Sequence, residues 1–213
     1  MKLGSGELRL LLQERQYTYS AQGVVYEDGK IGTLTRTITL PPVLQPYCGK
    51  EIEGACLEVR AGTVFGLEGE GVLLSNMGAR CTPSIVPLKL DNYPELGHPT
   101  ESEVGWYLTP HRYYLVTTVE KIFTPPDLLA HAYPRTTLQR CGVILTCTSI
   151  SPAYEGILTF GIENRGGTDF FLARNARIAM IEFEELKEQE LSAQYRGQWQ
   201  GGRVACPEGE KQQ

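Results

Sequence analysis

Alternation of apolar and polar positions dominates the middle of the chain. Leu57, Val59 and Ala61 interleave with Cys56, Glu58 and Arg60, a period of two that predicts a strand with one face in a core. Short strands are also expected at 72–74, 85–90, 112–119, 157–162, 170–173 and 178–183, with the last two forming a hairpin. The apolar run 143–148 predicts a buried strand, and a turn follows at 164–167. Helical spacing is confined to residues 6–16, where Leu8, Leu11 and Leu12 share a face, and to one turn at 128–131 after Pro125-Pro126-Asp127. Residues 17–50 carry a hairpin signal at Glu27-Asp28-Gly29-Lys30 and end in Pro-rich coil, which predicts an elaboration: an added hairpin or an oligomer contact. Many short strands separated by turns predict a mostly β chain folded as a barrel or jelly roll, with a short N-terminal helix.

Length and composition narrow this. The 213 residues suit one domain, 1–213, with no repeat or linker, and the polar, Gly-rich stretch 194–213 reads as a flexible tail. A formal charge of −5 leaves no global basic footprint for nucleic acid. No apolar run is long enough to span a membrane, and the N-terminus lacks a basic-then-apolar leader pattern. Cys48, Cys56, Cys81, Cys141, Cys147 and Cys206 form no C-x-x-C pair, which favours a reduced, cytoplasmic setting. His98, His111 and His131 are isolated, and neither H-x-E nor P-C-x-x-C occurs, so zinc-dependent deamination is not expected.

Candidate chemistry concentrates between Pro134 and Asn164. In PRTTLQRCG, Arg135 and Arg140 flank Thr136 and Thr137 about one helical turn apart. Guanidinium forks and hydroxyls in that spacing suit a polyanion. The same residues also suit a solvated surface turn. Glu163 has two readings as well: a proton carrier, or an ion-paired, solvated side chain.

These segments resemble those of the dCTP deaminases, members of the dUTPase-like fold family. PRTTLQRCG is similar to R-S-S-L-A-R-x-G, and ISPAYEG to I-D-P-G-[WY]-x-G. EGACLEVRAG resembles N-G-A-[ST]-x-D-[VL]-R-L-G, and WYLTPHRYYLVTTVEKIFTPPDLLAHAYPR resembles the stretch that precedes the phosphate motif. AQYRGQWQGG is similar to the C-terminal A-K-Y-x-x-Q, with Tyr195 and Gln198 matching and Gln194 in the lysine's place. The resemblance implies a dUTPase-like barrel or jelly roll of the β-clip type, assembled as a homotrimer with sites between subunits. It implies a pyrimidine deoxynucleoside triphosphate as ligand and metal-free deamination of dCTP to dUTP, with Mg²⁺ serving only the phosphates and no zinc.

By that resemblance Arg135, Thr136, Thr137 and Arg140 hold phosphates, and Tyr154 and Ser151 face the sugar. Thr159, Phe160 and Gly161 present backbone to the base, while Tyr195 and Gln198 close over the site. The family's two acids are replaced, however: Ser151 stands at the aspartate position and Gly161 at the catalytic glutamate position. The dUTPase branch, a pyrophosphatase, fits no better, because Ser151 replaces its acid too. Glu163, two residues beyond Gly161, is the remaining candidate proton carrier if Gly161 marks a bulge, with Glu155 a weaker one. The rival expectation is a non-catalytic member that senses nucleotide or serves as an interaction subunit.

Overall fold

The computed structural model describes residues 2–13, 15–25, 31–40, 42–45, 52, 54–73, 81–93, 103–187 and 195–206. The turn expected at 27–30, Gln194, Leu74 and the extreme C-terminus lie outside the described residues. The first elements are helix α1 (Ser5–Leu11) and strands β1 (Arg15–Val25), β2 (Ile31–Leu40), β3 (Leu44–Gln45), β4 (Leu57–Glu68), β5 (Ser84–Pro87), β6 (Asp91–Asn92) and β7 (Val104–Leu108). They continue as β8 (Tyr113–Phe123), β9 (Leu128–Pro134), helix α2 (Thr136–Arg140), β10 (Val143–Thr146), β11 (Ser149–Ile150), β12 (Glu155–Asn164), β13 (Phe170–Ala173) and β14 (Arg177–Glu185).

The main sheet runs β10-β12-β8-β4-β14-β9-β11, with β3 added on β8 and β5 on β4. β10, at one end of this path, also touches β9 near the other, so the sheet curls toward a barrel. A small sheet, β13-β7-β6, stands beside it, and β1 and β2 form a separate antiparallel pair. The architecture is the mostly β, dUTPase-like fold that the sequence predicts. β1 and β2 pair antiparallel, as the hairpin signal within 17–50 predicts.

β4 shows how pattern becomes packing. Leu57, Val59, Ala61 and Val64 are fully buried, and each large apolar side chain so buried is worth about 1.5–3 kcal/mol. The alternate positions, Glu58 and Arg60, point the other way and form ion pairs. Arg60 meets the fully buried Glu120 of β8 twice, through Nε at 2.6 Å and through its backbone N–H at 2.8 Å. A buried carboxylate needs such bonds to offset its lost hydration.

Several local expectations differ from the structure. Residues 128–131 are not helical: they open β9, which pairs with β14 from Leu128↔Glu185 to Pro134↔Ala179. Leu and Ala favour helix only weakly, and sheet pairing with alternate burial outweighs that. Helix α1 stops at Leu11 rather than continuing to 16, because the β-forming run beginning at Arg15 is drawn into β1. β5 ends at Pro87, and Val72 makes only an isolated bridge to Cys81. β10 alternates buried and exposed positions instead of being buried throughout. Residues 170–173 and 178–183 do not pair with each other: β13 pairs with β7, and β14 with β4 and β9.

Candidate functional site

A cavity of about 470 Å³ opens beside the first half of β12. β10 pairs with β12 only from Gly161 to Asn164, which leaves Glu155–Phe160 without a ladder partner on that side among the described strands. Hydroxyls form much of the wall: Thr82, Thr148, Ser149, Ser151 and Thr159. Tyr154, Tyr195 and Trp199 supply aromatic surface, and Arg203 the one charge among the described lining residues. Thr159 Oγ1 is buried and has no hydrogen-bond partner among the described residues. Buried hydroxyls are normally satisfied.

Tyr154 follows a tight turn in which Ala153 adopts φ 62°, where the family motif carries glycine. The turn is fixed by Ala153 N–H donating to Thr124 O (2.9 Å) and Tyr154 N–H to Ser151 O (3.2 Å). The Tyr154 hydroxyl donates to Ile157 O at 2.6 Å. Burial, reinforced by the neighbouring Tyr195, pushes this phenol up to about 12, so it is a neutral donor at physiological pH.

The C-terminal chain closes the cavity from the same molecule. Tyr195 donates its N–H to Pro152 O (3.2 Å), and its ring lies 5.8 Å from that of Tyr154. Its hydroxyl accepts from Trp199 N–H at 3.3 Å. Gln200 bonds Ala153 O (2.9 Å) and Glu155 N–H (3.3 Å), and Gly201 N–H donates to Glu155 O at 2.8 Å. The Cys206 backbone N–H reaches Thr82 Oγ1 at 2.9 Å. Gly156 and Gly202 meet where this chain crosses β12; a Cβ on Gly202 would fall 2.7 Å from Ile157 N, and one on Gly156 would strike the Gly202 backbone.

The cavity gathers Ser151, Tyr154, Thr159 and Tyr195 of the predicted set. Gln198 is buried but does not line it; its carbonyl accepts from Arg203. Phe160 points into the core, so only its backbone stays near the site. The phosphate-motif residues lie elsewhere in the chain. Arg135 caps α2 and pairs with Glu58, which also holds Arg177 at 2.7 Å. Thr136, Thr137 and Arg140 are exposed on α2. Among the described residues no group of three or more His, Cys, Asp or Glu side chains could hold a metal ion, and no helix is long and apolar enough to cross a membrane.

Gly161 is not at a bulge. Its register with β8 is continuous from Thr159↔Thr117 to Glu163↔Tyr113, and the irregularity falls earlier, between Ile157 and Thr159. A side chain at 161 would run into Tyr113, with Cβ 2.5 Å from ring carbon Cζ and nearer still to the hydroxyl. Glu163 therefore keeps its regular place, does not line the cavity, and pairs with Arg165 Nε at 3.1 Å. Sequence reasoning missed Thr82, Thr148, Ser149, Trp199 and Tyr113. The hydroxyl-dense run TCTSIS, 146–151, was the one available signal.

Comparison with known proteins agrees with this architecture. The dCTP deaminase of Natronomonas pharaonis is 29% identical over 156 residues, covering 71% of this chain and 76% of that protein. That of Helicobacter hepaticus is 25% identical over 179 residues, covering 79% and 93%. The crystal structure of 2'-deoxycytidine 5'-triphosphate deaminase from Agrobacterium tumefaciens superposes with a TM-score of 0.51 at 18% identity, a likeness of fold alone. The alignment covers 86% of this chain and 48% of that one, so this chain spans about half its length. A family model described as dCTP deaminase-like matches residues 33–186, and the chain belongs to that family.

Proposed function

We propose that this protein binds a pyrimidine deoxynucleoside triphosphate and does not deaminate it. The supporting observation is the cavity wall: aliphatic side chains, hydroxyls, aromatic rings and one arginine, with no carboxylate among the described lining residues. Hydrolytic deamination requires a group that takes a proton from water and returns it to the ring and to the leaving amine. Ser151 and Gly161 stand where the related enzymes' motifs carry acids, and Glu163 is held by Arg165 outside the cavity. Hydroxyls and rings are well suited to holding a nucleoside: rings cover the sugar and base, and a hydroxyl both donates and accepts. Thr159 Oγ1, buried without a partner, gains one from a bound base.

Arg135, Thr136, Thr137 and Arg140 hold phosphates in this reading, reaching the cavity of a neighbouring subunit in a homotrimer. Magnesium enters only as a companion of those phosphates. The test is calorimetric titration with each deoxynucleoside triphosphate in Mg²⁺, alongside assays for ammonia and pyrophosphate. Binding of dCTP or dUTP with neither product released is the expected result. Sustained release of ammonia or pyrophosphate overturns the non-catalytic part; no binding of either nucleotide overturns the whole.

A further inference from the structure

Tyr113 opens β8 and pairs directly with Glu163, one diagonal step from Gly161. Alternation places Thr159, Gly161 and Glu163 on one face of β12, and Tyr113 and Leu115 on the matching face of β8. Leu115 and Thr159 line the cavity; Tyr113 and Gly161 come next along the same face. In its rotamer here the Tyr113 phenol, the tip of a half-exposed side chain, occupies the space a side chain at 161 would need, with Cε2 and Cζ 3.0 and 2.5 Å from an ideal Cβ there. A glycine inside a continuous, regular ladder is otherwise costly. The phenol supplies the physical reason for it.

We propose that Tyr113 fixes the reaction specificity of this site: its phenol fills the side-chain space of position 161 and keeps a proton-carrying group off the base-facing row of β12. Tyr113 and Gly161 are thus a matched pair, and an acid introduced at 161 must displace the half-exposed phenol before it can reach the base-facing row. The proposal rests on the non-catalytic nucleotide-binding reading. Tyr113 acts through position 161 rather than on the ligand, so it is a positioning residue, and its effect is a coupling between two sites.

The test is a cycle in two backgrounds, Tyr113 retained and Tyr113→Ala. Gly161→Ala, which adds a single carbon and spares the fold, is read by melting temperature. Gly161→Glu with Ser151→Asp, which returns both acids, is read by ammonia release from dCTP. Gly161→Ala is expected to lower the melting temperature by several degrees with Tyr113 present and by less than a third of that without it. The paired acids are expected to release ammonia at least tenfold faster in Tyr113→Ala than beside Tyr113. Equal effects in the two backgrounds on either readout, including no ammonia in both, overturn the proposal. A wild-type protein that binds no pyrimidine nucleotide would defeat the functional reading instead, and the melting cycle would still report whether Tyr113 and position 161 are coupled.

Discussion

Replacing Glu163 by Gln separates the two roles open to this carboxylate. Position 163 lies two residues past Gly161 on the same face, about 6.5 Å along the strand, with the Tyr113 phenol over Gly161 itself. Its carboxylate meets Arg165 at 3.1 Å, with 26% of the Glu163 side chain and 62% of the Arg165 side chain exposed. An ion pair so open to water contributes about 0.2–1 kcal/mol. At about 2–4 °C per kcal/mol for a chain of this size, Glu163→Gln should lower the melting temperature by no more than about 4 °C. Affinity for dCTP should stay within about twofold, since the side chain does not reach the cavity. A proton carrier behaves otherwise: its loss costs about 10²- to 10⁴-fold in turnover. Ammonia release and calorimetry on wild type and Glu163→Gln at pH 7.5 read both quantities. Wild-type deamination that falls a hundredfold or more in the variant would refute the reasoning. Turnover that survives the change would also refute it, and would direct attention to Glu155 at the start of β12.

Other outcomes follow from the same geometry. Arg135→Ala and Arg140→Ala should each weaken dCTP binding about tenfold or more, because hydrogen bonds to charged groups contribute about 1.5–3 kcal/mol; unchanged titrations in both would return these arginines to the solvated surface. Light scattering should give three times the 23.7 kDa chain mass, and a clean monomer would remove the shared site. The Tyr154 phenol, raised to about 12 chiefly by burial, binds its proton more tightly folded than unfolded. Its contribution to stability is therefore complete below pH 10 and declines as pH climbs from about 10 to 12. Chemical denaturation across that window should show a steeper alkaline loss in wild type than in Tyr154→Phe, and parallel curves would contradict the assignment.

Much of the barrel was legible because its signals are local. The alternation through Leu57, Val59 and Ala61 is the core face of β4, and the β-forming runs on either side of Glu27-Asp28-Gly29-Lys30 are the paired strands β1 and β2. What escaped depends on partners distant in sequence. Leu128–His131 reads as a helical turn until β14 is beside it, and Phe170–Ala173 belongs to Trp106 and Tyr107 rather than to its near neighbours in the chain. The cavity was half legible: Ser151, Tyr154, Thr159 and Tyr195 sit in recognisable segments, whereas Thr82, Thr148 and Ser149 enter it only through the folding of distant segments around β12. Gly161 carried a real signal that sequence could not interpret. A glycine in a strand marks a bulge or a close approach, and only the register with β8 shows that the approach is Tyr113.

The reciprocal contact of Gly156 and Gly202 has a consequence for how this site can vary. A side chain on Gly156 would enter the space taken by the Gly202 backbone, and one on Gly202 would strike Ile157, the next residue of β12, so neither can change alone without lifting the terminal chain from β12. The seating of Tyr195 and Trp199 over the cavity is thereby decided at a crossing whose two glycines do not line it. A survey of substitutions scored by ligand affinity would find two sensitive positions here that touch nothing bound. Drift in the wall residues can retune what is held, while the latch that holds it stays invariant.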